Sequence, residues 1–257
     1  MFVDGNHTFL SQRRFPQMAT VRTTQLPGHS LQLDAPNMEP LLIPCPSSPS
    51  SNNNNNGDDE VQVDVWDNKV SAVDQGEAAA SWISTYLDTM GARLVKMGPS
   101  FQRMAHPSIP GPQVSFADDG PILLVSEPSL RDLNERLTQN GNAAVPVDRF
   151  RANIVVRQEE GDDGDELKPY GEDEWLVVEI GEVKFMVYKA CSRCQIIGIN
   201  QQTGEEVKRG GPLAALRRYR ARGGNIAYAD FGQLMMQLNE GKLKVGDEVK
   251  ILERKQQ

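Results

Sequence analysis

Two cysteines separated by two residues carry the most distinctive chemistry in this sequence. Cys191 and Cys194 lie in "ACSRCQIIGINQQTG", residues 190–204, with Ser192 and Arg193 between them. A structural zinc site needs four ligands, usually from a second cysteine pair or two histidines, and the three histidines of this chain are scattered far upstream. A redox-active pair begins a helix in a βαβ unit, whereas this pair leads into "QIIGIN", which has the pattern of a strand. Neither class of site fits well.

Two interpretations of the cysteine pair stay open at this point. The first is a pair of inert, buried cysteines at the end of a strand. In the second, one thiolate is the single protein ligand to a soft metal whose other ligands come from an organic cofactor. The adjacent Arg193 would then favour the deprotonated thiol and help to hold an anionic cofactor.

Other polar residues bear on this choice. The segment "DRFRANIVV" is predicted to place Arg149, Arg151 and Asn153 on one face of an extended strand. Two guanidinium groups on such a face suit bidentate binding of a phosphate. Further candidates stand beside turns, namely Asp118 and Asp119 in "FADDGP" and Arg13 and Arg14 in "LSQRRFP". Each of these is a weak signal when taken alone.

The composition limits the function classes. The 257 residues are enough for one large domain or two modest ones, and no apolar run has transmembrane length. The net charge of -8 argues against nucleic acid as the main partner, because such proteins normally present a basic face. Three cysteines are too few for a disulfide framework, so we expect a reducing environment.

Short strands with three separated helices dominate the predicted element order, which favours an α+β, mainly β protein built on a barrel-like sheet. In the helix over "DQGEAAASWISTYLDTMG", Asp74 and Glu77 form a capping-box pattern and Gly91 supplies the stop. The predicted buried face of this helix comprises Trp82, Ile83, Tyr86, Leu87 and Met90.

A second helix is predicted over "EPSLRDLNERLTQNG", with Pro128 in its first turn and Gly141 at its end. Its inward-facing residues are predicted to be Leu130, Leu133 and Leu137. A third, short helix is predicted over "PLAALRRYR".

Taken together, a series of ordered stretches resembles the MOSC family, specifically the branch that includes the mitochondrial amidoxime-reducing components and similar bacterial proteins. These stretches are "FLSQRRFPQMATV", "LQLDAP", "VDQGEAAASWIS", "RLVKM", "FADDGPILLVSEPSLRDLNERL", "DRFRANIVV", "EDEWLVVEIGEVKF", "ACSRCQIIGINQQTG", "PLAALRRYR", "FGQ" and "VGDEVKIL". They cover nearly the whole chain apart from an Asn-rich loop and an acidic loop.

The resemblance implies a MOSC-type β-barrel preceded by the N-terminal β domain of the same family. We expect residues 1–95 to form the N-terminal domain, with a disordered loop at 44–60, and residues 96–254 to form the MOSC domain. Family members normally begin with a further strand and a "YPIKSC"-like stretch that reaches the cofactor. The N-terminal domain is therefore expected to be truncated and incomplete, without any targeting sequence or anchor that the missing segment would carry.

The resemblance also implies a molybdenum cofactor, a pterin with a dithiolene and a phosphate. Cys194 matches the family's metal ligand, and Asp118 matches an acidic residue beside the open face of the metal, where it could transfer protons. The positions that match cofactor-contacting residues are Arg13, Asp119, Gly120, Arg151, Asn153, Ser192 and Arg193. In "FRAN" the family usually has proline in place of Ala152.

The activity implied by the resemblance is a two-electron reduction of small N-hydroxylated substrates, such as amidoximes. Electrons would come from a b-type haem cytochrome that is reduced by an NADH-dependent flavoprotein. Two alternatives remain: a non-redox cofactor-binding or sulfur-carrier module like the C-terminal domain of molybdenum cofactor sulfurases, and an inactive remnant.

Overall fold

The computed structural model describes residues 1–44, 60–106, 109–159, 166–207 and 210–255. Most of the loop predicted at 44–60, including Cys45, lies outside the described residues, as does the middle of the predicted acidic loop. The chain divides into two compact units. The first comprises residues 1–103 and 199–206, and the second comprises residues 104–198 and 207–257.

The first unit contains seven strands and one α-helix among its described residues. In chain order they are β1 (Phe2–Val3), β2 (Arg22–Gln25), β3 (Leu31–Asp34), β4 (Leu41–Ile43), β5 (Glu60–Val65), β6 (Asn68–Asp74), α1 (Glu77–Leu87) and β7 (Arg93–Met97). The strands form two antiparallel sheets, one in the order β1-β7-β6-β5 and one in the order β2-β3-β4. Helix α1 packs beside β7 and β4.

The predicted capping box of α1 is wrong. Gly76 is the N-cap, with a positive φ of 88° and no side-chain capping bond. Asp74 instead belongs to the end of β6, where it accepts the Gly76 N–H at 2.7 Å and forms an ion pair with Arg93. The carboxylate does not cap the helix because β6 continues to Asp74 and the helix begins only at Glu77.

The buried face of α1 is predicted correctly for most of its length. Trp82, Ile83 and Leu87 are buried in the core of the first unit, and Tyr86 is partly buried against it. Met90, in contrast, is 95% exposed. The helix stops at Leu87 because the next residue takes a left-handed conformation, so the helical periodicity that would bury position 90 is lost.

The second unit contains nine strands and two α-helices among its described residues. In chain order they are β8 (Met104–His106), β9 (Ile109–Gln113), β10 (Ile122–Ser126), α2 (Glu127–Gln139), β11 (Ile154–Val156), β12 (Trp175–Ile180), β13 (Val183–Arg193), α3 (Pro212–Tyr219), β14 (Ala221–Arg222), β15 (Asn225–Gln237) and β16 (Val249–Arg254).

The main sheet of the second unit has the order β11-β10-β15-β13-β12-β16, with β14 paired to β15. The pair β10 and β11 is parallel, and the other pairs are antiparallel. Strands β8 and β9 pair only with each other among the described residues. The strands curl into half-barrel sheets, which confirms the predicted mainly β class. No helix in the described ranges is long and apolar enough to cross a membrane.

Helix α2 follows its sequence pattern closely. The Ser126 hydroxyl caps it by accepting the Ser129 N–H at 3.3 Å, and Pro128 lies in the first turn as predicted. Leu133 and Leu137 are fully buried in the core, and Leu130 packs against the same cluster. The prediction for this helix is therefore confirmed.

Gly232 lies in β15 beside its antiparallel partner β10, and this position requires glycine. Its φ is +80°, and a Cβ at this position would lie 2.6 Å from the carbonyl oxygen of Leu124. We expect Gly232→Ala to lower the free energy of unfolding by about 2–4 kcal/mol, because it combines backbone strain with a clash against main chain. Urea denaturation followed by circular dichroism measures the change.

The control for this prediction is Gly224→Ala. Gly224 has nearly the same φ, +79°, but no described residue would lie within 4 Å of a Cβ at this position. Its loss is expected to be about 1 kcal/mol, from strain alone. Equal losses for the two variants would show that the close approach of β10 does not matter.

Glu172 is expected to make stability depend on pH. It is fully buried and accepts hydrogen bonds from the hydroxyls of Ser126 (2.9 Å) and Ser129 (2.8 Å). Burial raises the pKa of its carboxyl, and the serine hydroxyls only partly oppose this rise. The raised pKa of Glu172 therefore stabilises the folded state. This contribution is fully present below the pKa of an unfolded glutamate, and it is lost as the pH rises through the pKa of Glu172 in the folded state.

We expect Glu172→Gln to remove this dependence, since the amide stays neutral. The variant should gain free energy of unfolding relative to the wild type as the pH rises from about 4 to about 8. Urea titrations at both ends of that range measure the difference. A difference that stays constant across the range would contradict the assignment.

Candidate functional site

The cysteine pair lies where β13 leaves the main sheet of the second unit. Arg193 is the last residue of β13 and pairs with Ala229 of β15. The segment "QIIGIN" is not the predicted strand, because Gln195–Gly198 form a 3₁₀ turn in which the Ile197 N–H donates to the Cys194 carbonyl at 3.4 Å. The turn puts Ile197 fully into the core, which explains why this apolar run does not continue as a strand.

The two thiols have different surroundings. Both are half-buried, and neither forms a disulfide. The Arg193 Nη1 donates to the Cys191 Sγ at 2.9 Å. Burial raises the pKa of the Cys191 thiol, and the Arg193 guanidinium only partly offsets this, while Asp119 and Cys194 lie near enough to raise the pKa further. Cys191 is therefore a poor thiolate at neutral pH.

The predicted arginine face in "DRFRAN" is wrong. Val147–Phe150 form a 3₁₀ turn and Arg151 has a left-handed conformation, φ 56°, so the segment is not extended. The aromatic ring of Phe150 stacks on Phe231 at 4.3 Å between centroids and pulls the turn onto the core. As a result Arg149 is buried, whereas Arg151 is exposed.

Asn153, immediately before β11, binds the backbone of β10. Its N–H donates to the Leu123 carbonyl and its Oδ1 accepts the Leu123 N–H, both at 2.9 Å. These two bonds extend the parallel pairing of β11 with β10 by one residue. Asn153 therefore positions the segment that carries Arg151, whether or not its amide nitrogen also contacts a ligand.

The acidic turn before β10 is bound to the end of β13. The Asp119 carboxylate pairs with Lys189 at 2.6 Å, and the Asp119 carbonyl accepts the Tyr188 hydroxyl at 3.0 Å. A Cβ at Gly120 would overlap that hydroxyl, so a larger residue there would have to displace the Tyr188 side chain. Burial, and then the charge of Asp119, raise the pKa of Tyr188 to about 12.

Arg222 of β14 completes the polar cluster. Its Nε and Nη2 bind the two oxygens of Asp230 at 2.8 and 2.7 Å, and its Nη2 also reaches the Ala190 carbonyl at 3.3 Å. Asp230 pairs with Ser192 in the β13–β15 register. Sequence reasoning missed this pair, although an arginine before "GG" and an aspartate shortly after it indicate a hairpin with a cross-strand ion pair.

The structure therefore brings several predicted residues together in the second unit. Asp119 contacts Tyr188 and Lys189 of β13, the strand that ends with Ser192 and Arg193 immediately before Cys194. Tyr188 and Lys189, which the sequence did not single out, join the turn to the strand. Asp118 is exposed in the same turn. Arg13 lies in the first unit, where its guanidinium lies 4.6 Å from the ring centroid of Trp66.

The donor set of this cluster suits an anionic cofactor that brings its own metal ligands. The Nε atoms of Arg149 and Arg193 are buried without a hydrogen-bond partner in the described part of the chain. The described residues contain no group of three or more His, Cys, Asp or Glu side chains able to hold a metal ion. A metal at this place would accordingly have at most two ligands from the described His, Cys, Asp and Glu side chains and would need further ligands from outside the chain.

Comparison with known proteins identifies the family of the chain. The family model described as "MOSC domain" matches residues 111–250, and the one described as "MOSC N-terminal beta barrel domain" matches residues 1–90. Mitochondrial amidoxime-reducing component 1 of Homo sapiens is 32% identical over 259 residues, which cover 97% of this chain and 70% of that protein.

Two further relatives represent the two named activities. Mitochondrial amidoxime reducing component 2 of Rattus norvegicus is 31% identical over 263 residues, 97% of this chain and 71% of that protein. Molybdenum cofactor sulfurase of Solanum lycopersicum is 37% identical over 152 residues, 54% of this chain but only 17% of that protein. The MOSC domain model spans more than half of the chain and the human relative aligns with nearly all of it, so the chain belongs to the MOSC family.

Proposed function

We propose that this chain binds a molybdenum cofactor and reduces N-hydroxylated substrates. The observation that carries the proposal is the position of Cys194, a half-buried thiol at the end of β13, next to an arginine whose buried Nε has no partner among the described residues. Such an arrangement suits a soft metal held by one thiolate and a cofactor held by guanidinium groups. The named activity of the human and rat relatives supports the same substrate class.

Each residue of the cluster has a role in this proposal. Cys194 supplies the metal ligand, since the Cys191 thiol already accepts a hydrogen bond from Arg193 and burial raises its pKa. The residues of the second unit that would contact the phosphate or the polar edge of the pterin are Asp119, Gly120, Arg151, Asn153, Ser192 and Arg193, with the guanidinium groups suited to the phosphate and the carboxylate to the N–H groups of the pterin. Arg151 is exposed and available for this purpose. When bound, the cofactor supplies the two electrons of the reaction.

The proton balance assigns a role to Asp118. Reduction of an amidoxime to an amidine consumes two electrons and two protons, and the N-bound oxygen leaves as water. The Asp118 carboxyl is exposed in the turn before β10 and can deliver protons from solvent to the departing oxygen. A b-type haem cytochrome, reduced by an NADH-dependent flavoprotein, would supply the electrons.

A second candidate function is a cofactor-binding or sulfur-carrier module without redox turnover. The 37% identity with the tomato molybdenum cofactor sulfurase over 152 residues favours it. Expression in a host that makes the cofactor separates the two functions. Bound molybdenum with reduction of benzamidoxime by a dye donor supports the reductase, and molybdenum without turnover supports the module. A folded protein without molybdenum contradicts both.

We expect Cys194→Ala to abolish molybdenum retention and Cys191→Ala to preserve it. The physical reason is that burial raises the pKa of Cys191, which disfavours the thiolate form that a metal ligand needs. Molybdenum content measured by plasma mass spectrometry should fall by about tenfold or more in the first variant only. Equal losses in the two variants would contradict the single-ligand assignment.

A further inference from the structure

Two arginines cross-link the segment that contains Cys194 to the 3₁₀ turn Val147–Phe150. The Arg193 Nη2 donates to the Phe150 carbonyl at 2.8 Å. The Arg149 Nη1 donates in the opposite direction, to the Gly198 carbonyl, also at 2.8 Å. Each segment therefore donates one hydrogen bond from a guanidinium group and accepts one at a carbonyl oxygen. We call this reciprocal pair of bonds the arginine clasp.

The clasp completes the anchoring of the backbone around Cys194. On the N-terminal side, the pairing of Arg193 with Ala229 fixes the chain to the sheet. On the C-terminal side, the Gly198 carbonyl accepts both the Arg149 guanidinium and the Val207 N–H, the latter at 2.9 Å. Cys194 lies between these anchors, and its own carbonyl closes the 3₁₀ turn that ends at Gly198.

The burial of Arg149 indicates that it does more than fill space. Only 8% of the residue is exposed, and burial lowers the pKa of its guanidinium. Its hydrogen bond goes to a carbonyl rather than to a carboxylate. A charged group buried in this way costs free energy, and an apolar side chain of similar length can fill the same volume without that cost.

We propose that Arg149 is a positioning residue, which sets the conformation of Cys194 by holding the Gly198 carbonyl. The inference rests on the proposed function of Cys194 as metal ligand, because a ligand that must meet a metal at a fixed direction needs a rigid backbone. It replaces the phosphate-binding role that the sequence pattern suggested for Arg149. Arg151, on the exposed side of the same turn, keeps the anion-binding role.

The test measures thiol reactivity in the cofactor-free protein. The full chain is produced in a host that lacks the cofactor, with Cys45, outside the described residues, replaced by serine. Iodoacetamide labelling followed by peptide mass mapping gives separate rates for Cys194 and Cys191. In Arg149→Met we expect Cys194 to react at least about fivefold faster, since local opening exposes it, while Cys191 changes by less than about twofold.

Arg149→Lys tests whether a positive charge alone is sufficient to hold the Gly198 carbonyl. A lysine keeps the charge and one donor but lacks the planar fork, so Cys194 should react at an intermediate rate. Arg157→Met serves as the matched control in the same unit, because Arg157 is exposed and bonds only to Glu159 in the described structure. Its labelling rates should equal those of the wild type. If Arg149→Met does not fold, the lysine variant alone decides.

An unchanged Cys194 rate in the folded variants would overturn the proposal, and so would equal acceleration of both cysteines, which indicates general loosening. Molybdenum content after expression in a cofactor-producing host is the second readout. We expect Arg149→Met to retain less than about a fifth of the wild-type metal and Arg149→Lys to retain more. A wild type without molybdenum would contradict the proposed function, whereas the labelling rates would still decide the role of Arg149.

Discussion

The pairing of β13 with β15 is the constraint on which the second unit depends. These are its two longest strands among the described residues, and their register runs from Phe185 opposite Gln237 to Arg193 opposite Ala229. The register determines where β13 ends and therefore where the two thiols stand. It also brings Asp230 beside the end of β13, where Arg222 joins the two strands by bonding to its carboxylate and to the Ala190 carbonyl. Strand β15 also pairs with β10, and the turn that precedes β10 contacts Tyr188 and Lys189 of β13.

The two arginines of the clasp donate hydrogen bonds to carbonyl groups rather than to carboxylates. Arg149 and Arg193 donate to the carbonyls of Gly198 and Phe150, so their positive charges are not neutralised by these bonds. Arg222 and Lys189, farther back along the strands, are paired with carboxylates. Asp148 lies near enough to Arg149 to oppose the fall of its pKa, and Asp119 lies near enough to Cys191 to raise the pKa of its thiol, so charges of both signs surround this end of the sheet. The proposed binding of an anionic cofactor depends on the guanidinium groups that no carboxylate in the described part of the chain binds directly.

The elements that the sequence predicts well are those with strong local signals. Helix α2 has a serine cap, a proline in its first turn and leucines at helical spacing, and all of these act as expected. Helix α1 shows the limit of such signals. Its capping box failed because Asp74 pairs with Val95 as the last residue of β6 and the helix begins only at Glu77, and Met90 is exposed because the helix ends before it. Both outcomes depend on residues outside the local pattern.

The sequence by itself determined the family, the mainly β class and the residue types of the candidate site: thiols, guanidinium groups and an acidic Gly-Pro turn. Only the tertiary structure decided how these groups differ from one another. The Cys191 thiol accepts a hydrogen bond from Arg193, and Arg149 is distinguished from Arg151 by a 3₁₀ turn that buries one and exposes the other. The physical reason is that pKa, burial and side-chain direction depend on neighbours brought from distant parts of the chain. A local spacing of two or three residues carries no information about them.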